Sequence, residues 1–563
     1  MSARLDVSPG LPLSDPSIPF WAIPVAPIAR HGEHGPLPEI ADIVVIGSGI
    51  TGASFVRELL DSSAVHPPRV VMLDARDACS GATARNGGHI SPMFYMDYDK
   101  LKSSVGPEAA CNVIRFRLAH LPELLAVASS EGLLRDSQCR QIEAVDVFFE
   151  QSFFDESKAK LSTYLEDFPD QRSHWRVVDT LECHTSLQLS KRAVGAIATR
   201  GGALSPYRLV TGILARLLKA YPSAFALFTH TPCESISSGS DYYTIHTPKG
   251  DIHTRHVVHA TNGWVSHLLS PMRRKVVPLR GTMTAQRPGT GLGKNTNPDW
   301  TGSRSFIFYT GKTYTKFDYL TQQPATDYNG VMHIPQFCGA APPGFYPSPS
   351  GELMLGGGFS QDGIGESALL AELGNANDRD DIGDGGCLLG PAMYLGGALS
   401  ILFDASAWSA EGRDHTDTNG GLVNEGRVKK MWTGILGISA DMNPWVGRRM
   451  STMTSKTPLK RSPRKRTKPA DAASVRPPQL APPGEWLSAG YTGEGMTHAW
   501  MCGKALAHMV LGQDNTRLLV GMCENSPDEG LDARERSVLL PASFKITESR
   551  WKKARIEDLL EVM

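Results

Sequence analysis

The sequence predicts a mixed α/β fold in two parts: a parallel, βαβ-based domain and a second, mainly antiparallel β-sheet domain of α+β type. Three observations predict it. Residues 43–46, Ile-Val-Val-Ile, form an unbroken apolar, β-branched run, the pattern of a strand buried on both faces of a parallel sheet. Gly47-x-Gly49-x-x-Gly52 follows at once, the composition of a tight strand-to-helix turn. Between residues 277 and 397 the texture changes to short apolar runs broken by prolines and glycines, as in an antiparallel sheet.

Each glycine of the turn has its own expected task. Gly47 permits the turn itself, Gly49 lets a pyrophosphate approach the backbone, and Gly52 lets the next helix pack against the strand. That helix is predicted over residues 50–60, so the N–H groups of Ser48, Gly49, Ile50 and Thr51 lie where a helix start attracts phosphate. A second apolar run, Val70-Val71-Met72-Leu73, ends in Asp74, with Ala75 and Arg76 after it. An acid at the end of the second strand accepts hydrogen bonds from an adenosine ribose. An ordinary βαβ unit would account for the glycine turn alone. Strand, glycines, helix, strand and acid together point to a dinucleotide site.

The 563 residues allow two or three domain-sized cores. A formal net charge of -1 advertises neither a nucleic-acid nor a membrane surface. The nine cysteines are scattered, odd in number and without a C-x-x-C pair. That argues against a disulfide framework and against a zinc site, and no metal is expected. No apolar run is long enough to span a bilayer, and the N-terminus lacks the basic end and apolar core of a signal peptide. Cytoplasmic localisation is the resulting expectation.

In chain order, residues 1–39 are rich in proline and read as an extended arm wrapping the surface, with Phe20 and Trp21 as anchors. After Asp74 comes a small, hydroxylated, glycine-rich loop: Ser80-Gly81-Ala82-Thr83-Ala84-Arg85-Asn86-Gly87-Gly88. Its composition lets backbone approach a flat ligand, and Ser80 and Thr83 can donate to phosphate.

The Gly47–Gly52 turn, Asp74 and this loop together resemble the D-amino-acid oxidase-like (DAO) family of FAD-dependent oxidoreductases. The Ala-Arg-Asn-Gly-Gly form is most similar to the γ-glutamylputrescine oxidase branch and its fungal relatives. Later segments extend the resemblance over residues 40–512. Residues 204–210, which include Pro206, Tyr207 and Arg208, resemble the family's Pro-Tyr helix start; Tyr207 and Arg208 are read as structural. Residues 242–253 alternate as a hairpin. Ala260-Thr261-Asn262-Gly263-Trp264 resembles the strand end passing under the FAD, with His259 as a packed strand residue. Residues 317–322 and 352–358 are expected to pair as strands of the sheet that, in the family, covers the flavin and carries the substrate pocket. The acidic run 378–386 reads as a solvated loop. Residues 431–447 resemble a return strand into the FAD domain. The motif Gly490-x-x-Gly493-Glu494-Gly495-Met496 resembles the family's terminal glycine motif, whose helix start faces the flavin edge that becomes negative on reduction.

The resemblance implies a Rossmann-like FAD-binding domain (residues 40–100, 201–275 and 430–512) and a β-sheet substrate domain (101–200 and 276–429). A C-terminal extension covers residues 513–563. The lysine- and arginine-rich, proline-rich stretch 451–483 reads as a disordered, solvated insertion. The resemblance further implies oxidation of a C–N bond in a small-molecule amine or amino acid. Hydride passes to flavin N5 and oxygen acts as acceptor, with no obligatory side-chain base. Arg280, Tyr309, Tyr319 and Trp432 are the pocket candidates by segment and chemistry. Arg85 stands where some relatives carry a flavin-linking histidine, with His89 four residues on, so non-covalent FAD is expected. A flavin-dependent dehydrogenase or an oxidative-cyclisation enzyme is the alternative within enzymes. A non-catalytic flavoprotein scaffold acting through the basic insertion is the alternative outside them.

Overall fold

The computed structural model describes residues 2–560 apart from 92–93, 289–291, 294–299, 301, 315, 325–350, 359–371, 379–388, 409–426, 454–479, 514–516 and 522–536. The basic core of the predicted insertion lies outside the described residues.

The apolar run seen in the sequence becomes the strand Ile40–Ile46, near the middle of an eight-stranded sheet. Val70–Leu73 pairs with it in parallel on one side and Gly250–His259 on the other. Phe225–Phe228 and Gly484–Ala489 extend the parallel order outward, and Trp445–Arg448 closes one edge antiparallel. Ile43, Val44 and Val45 are fully buried, because both faces of a parallel sheet are covered. The helix after the glycine turn spans Ile50–Ser62, two residues beyond the predicted end. It packs against the helices Pro206–Ala220 and Ala499–Val510. At Gly503 a Cβ would come within 2.6 Å of Thr51 O, so this contact is close enough to require glycine. The predicted hairpin is present, but its second strand runs on without a break to His259.

The second sheet has nine strands. Its path runs Val428–Ser439, Val276–Gln286, Leu353–Gly357, Asp318–Gln322, Arg304–Tyr309, Arg140–Phe148, Gly195–Ala203 and His89–Ile90, with Arg176–Val178 off the path. All neighbours are antiparallel except Arg304–Tyr309 with Arg140–Phe148. The two strands expected to pair do so, with Tyr319 opposite Gly356. The register aligns a transverse row across the sheet: Trp432, Met283, Gly356, Tyr319, Ile307 and Asp146. Paired residues share a face, so this row forms one side of the sheet.

Three expectations are corrected. Residues 431–447 do not form a single return strand. Val428–Ser439 pairs along Val276–Gln286 in the second sheet, and only Trp445–Arg448 joins the first. The acidic run does not begin in solvent. Asp378 is fully buried, because Arg76 Nη1 reaches its Oδ2 at 2.7 Å and Arg85 Nε stands 3.9 Å away; residues 379–386 lie outside the described residues. The N-terminal arm is more than a surface wrap. Phe20 and Trp21 are buried anchors, as expected, but Ser17 is buried too and enters the same polar knot. The C-terminal segment, to which the sequence assigns no role, also packs inward. Arg550 bonds to Asp441 and lies 3.9 Å over the Trp445 ring, and Phe544 is fully buried. Among the described residues no helix is long and apolar enough to cross a membrane.

Candidate functional site

A cleft opens at the carboxyl ends of the first sheet's parallel strands, where ligands of such sheets bind. Of the predicted cofactor residues it is lined by Gly47, Ser48, Gly49, Ile50, Thr51, Asp74, Ala75, Arg76, Thr83, Asn86, Ala260, Thr261, Asn262, Trp264, Gly493, Gly495 and Met496. The cradle is built from missing side chains. A Cβ on Gly47, whose φ is +108°, would stand 2.5 Å from Ala260 O. One on Gly52 would stand 2.2 Å from Gly47 O. Gly49 has an ordinary φ of -73°, so what it supplies is space: a Cβ there would lie 3.0 Å from Thr83 Oγ1.

Asp74 accepts from the Ser48 hydroxyl, from Ser48 N (3.1 Å) and from Arg76 N (3.0 Å). Burial pushes its carboxyl above the ordinary value, and these hydrogen bonds oppose the shift. Thr83 Oγ1 accepts from Ile50 N at the helix start, 3.0 Å away. Asn86 shapes the loop: its amide donates to Ala82 O and Thr83 O, and its carbonyl accepts from Gly88 N.

The remaining predicted cofactor residues stand around the cleft rather than on its wall. Arg85 is buried and braces the loop. Its guanidinium donates to Ser80 O, Ser17 Oγ, Ser17 O and Thr433 O at 2.6–2.8 Å. The Glu494 carboxylate lies 3.4 Å from Arg117. Gly490 N donates to Asn262 Oδ1 (2.9 Å), joining the two glycine turns. Gly263 is needed because a Cβ would meet Leu436 O at 2.7 Å, and Gly88, at φ +74°, because a Cβ would meet Leu204 O at 2.3 Å. Ala84 is buried within the loop, and the buried Ser80 Oγ has no hydrogen-bond partner among the described residues.

Sequence reasoning missed other walls. Gly10, Leu11 and Pro12 of the arm line the cleft, as do Thr231, Cys233, His267, Leu268, Leu436, Tyr491 and Ala499. The arm residues carry no local motif; Ser8 Oγ bonds His267 Nδ1 (2.9 Å) and holds them there.

The four pocket candidates separate. Trp432 is fully buried, and its indole N–H donates to Arg85 O (3.0 Å), which props the loop. Tyr319, in the same row, meets the loop at Gly87, where a Cβ would lie 3.0 Å from the Tyr319 ring and 2.9 Å from His89. His89 and Tyr319 pack edge to face, 5.6 Å between centroids. Tyr309 is buried and stacked on Phe148 at 5.4 Å. Arg280 is not brought to this face. It is buried against Glu372, with Nε 2.5 Å from Oε2, on the side of its strand opposite to Met283. Nothing in its segment announced the carboxylate that holds it.

The residues present fit a dinucleotide. The glycine cradle leaves backbone open to a ligand at a helix start, Asp74 is an acceptor at the end of the second strand, and two buried donors beside the cleft, Thr261 Oγ1 and Trp264 Nε1, lack hydrogen-bond partners among the described residues. Fold and cleft define a dinucleotide-binding protein. The family model for FAD-dependent oxidoreductases, DAO, matches residues 42–509, and the chain belongs to that family. FAD is its cofactor.

Solved structures share the fold. Glycine oxidase from Geobacillus kaustophilus superposes with a TM-score of 0.55 at 14% identity, over 91% of this chain and 99% of that one. L-amino acid deaminase from Proteus vulgaris, with its specific insertion deleted, gives 0.53 at 14% identity, over 88% and 96%. L-proline dehydrogenase from P. horikoshii gives 0.52 at 17%, over 84% and 94%. Among curated proteins no sequence matches.

Proposed function

We infer that the protein oxidises a C–N bond of a small-molecule amine or amino acid. Bound FAD would supply the two-electron acceptor for hydride from the carbon beside the nitrogen, with oxygen as the final acceptor. The observation that carries this reading is the chemistry of the sheet face beside the Arg85–Gly88 loop. Tyr319, Tyr309 and His89 present polar groups there that stay uncharged at neutral pH. Burial holds both phenols well above the ordinary tyrosine value and brings the His89 imidazole down to about 3. Neither His89 ring nitrogen has a hydrogen-bond partner among the described residues. Such a face holds a neutral amine and excludes water without removing a proton from carbon. Hydride departure needs no side-chain base there.

The Ala-Arg-Asn-Gly-Gly loop supports the γ-glutamylputrescine oxidase type as the branch within the family. The bracing of Arg85 supports non-covalent FAD, since that position is occupied by a guanidinium with four hydrogen-bond contacts.

The test is anaerobic bleaching of the flavin by a panel of amines and amino acids, followed by oxygen. Bleaching by at least one member, with peroxide on re-aeration, is expected. Bleaching followed by electron delivery only to an artificial acceptor favours the dehydrogenase or oxidative-cyclisation alternative. A flavin that no amine bleaches sinks the reading and leaves the scaffold alternative.

A further inference from the structure

The N-terminal arm passes one end of the cofactor cleft between two fixed points. At the first, Leu5 joins the core cluster of Val265, Leu269 and Met272, Asp6 pairs with Arg274 (3.0 Å), and Ser8 Oγ bonds His267 Nδ1 (2.9 Å). At the second, Ser17 N donates to Asp378 O (2.8 Å), and Arg85 donates to the Ser17 hydroxyl (2.7 Å). Between them no residue from Val7 to Pro16 is buried. Gly10, at φ +74°, has no atom within 4 Å of where a Cβ would stand, and its N–H donates to Ser8 Oγ (3.2 Å). Yet Gly10, Leu11 and Pro12 line the cleft. The fixed points identify the end they close. Trp264 precedes His267 by three residues, and the Arg76 guanidinium lies 5.6 Å over its ring. Arg76 in turn holds Asp378 (2.7 Å). The arm therefore runs from His267 to the Arg76–Asp378 pair, on the side of Asp74, the acceptor that marks the adenosine end of a dinucleotide. His267 lines the cleft there, and its Nε2 is buried with no hydrogen-bond partner among the described residues.

We propose that residues 8–12 form a strap that holds the adenosine half of FAD in the cleft, with Leu11 and Pro12 as apolar cover and His267 Nε2 as a hydrogen-bonding group for the nucleotide. Ser8 is the latch, since its hydroxyl engages both the His267 ring and the strap's own backbone at Gly10. The inference rests on the chain's membership of an FAD-dependent family and is independent of the substrate it oxidises. A cofactor covered in this way leaves only when the strap opens. Opening breaks the Ser8 contact and uncovers no buried residue of the strap, so it is a local fluctuation rather than global unfolding. Weakening the latch raises the open population, and the rate of FAD release rises by the same factor.

The experiment uses the full-length holoprotein and follows FAD release after dilution as the rise in free-flavin fluorescence. Ser8→Ala removes the latch and is expected to release FAD about tenfold faster than the wild type. Gly10→Ala strains the left-handed backbone without a clash and is expected to release it about fivefold faster. Val7→Ala, at an exposed position of the arm outside the cleft, is expected to release it at the wild-type rate. In both fast variants the urea midpoint of the apoprotein and the visible absorption bands of the bound flavin are expected to stay unchanged, because the strap lies outside the core and away from the isoalloxazine. Release within about twofold of the wild type in both Ser8→Ala and Gly10→Ala overturns the proposal. Faster release with a lowered apoprotein midpoint also overturns it, since the arm then serves the fold. Faster release with shifted flavin bands overturns the assignment to the adenosine half. The readout is cofactor release, so none of these outcomes depends on whether an amine bleaches the flavin.

Discussion

The cofactor cleft and the sheet face beside it are built by different means. The cleft is made largely of backbone. Two of its contacts, Gly52 against Gly47 O and Thr83 on Ile50 N, lie within one βαβ stretch of the sequence, although Gly47 also meets Ala260 O. The sheet face is made of side chains. Trp432, Met283, Tyr319 and Asp146 come from four strands spread over almost 290 positions and meet only through register. Local backbone sites leave a signature in glycine spacing, whereas register-built sites leave none. The two regions should therefore also fail differently under substitution.

The largest expected effect lies in the backbone site. Gly47→Val combines a positive φ with a 2.5 Å overlap on Ala260 O, and a cost of at least about 3 kcal/mol is expected. The protein should be colourless after purification. Gly49→Val should also lose flavin but keep more of its stability, since φ is ordinary and the overlap falls on the Thr83 hydroxyl. A yellow Gly49→Val protein of normal FAD affinity would break the account of the cleft.

Next comes the polar knot that joins the regions. Asp378→Asn leaves Arg76 and Arg85 buried beside a neutral amide, a change expected to cost about 3 kcal/mol. Urea unfolding should show it as a lower midpoint at constant slope. An unchanged midpoint would mean the knot is not part of the folded state.

A pH series tests the buried histidines on both sides. Burial brings His120 and His256 to about 4 and His89 to about 3. Each binds a proton more readily when unfolded, so stability should be level above the ordinary histidine value and decline as pH falls from about 6.5 towards 4, by up to about 1.4 kcal/mol per unit and per histidine. A melting temperature that holds constant over that range would contradict their burial.

The smallest effect is expected at Gly81, which lies in the cofactor loop but has an ordinary φ of -78° and open space, with no atom within 4 Å of where a Cβ would stand. Gly81→Ala should leave flavin content unchanged and alter stability by less than about 0.5 kcal/mol. It is a better control than Gly250, which has open space but a φ of +124°.

The contrast also explains what could be read in advance. The strand, the glycine turn, its helix and Asp74 were legible, because hydrophobic runs and glycine spacing report on neighbours in sequence. So were the paired strands around Tyr319 and Gly356. Arg280 was misleading, since its partner Glu372 is 92 positions away. Asp146 gave no signal either, being one of two acids, with Glu143, in the strand Arg140–Phe148, and its neighbours Ile307 and Tyr319 are set by strands paired through register. Asp378 read as solvent-exposed because its neighbours are acidic and glycine-rich, while its two arginines sit some 300 residues earlier. The arm showed its aromatic anchors but not Gly10–Pro12, which are placed by the Ser8 contact with His267.

The knot around Ser17 has a consequence for the order in which the molecule matures. Ser17 emerges early from the ribosome, but the groups that hold it, Asp378 O and Thr433 O, are synthesised some 360 and 416 residues later. The helix Ala499–Val510, which completes the wall against Ile50–Ser62, comes later still. Loops this long close slowly relative to local structure. The glycine turn can fold on the nascent chain, but the arm can be latched only after residue 433 has been made. A chain truncated before residue 433 is born without its clasp.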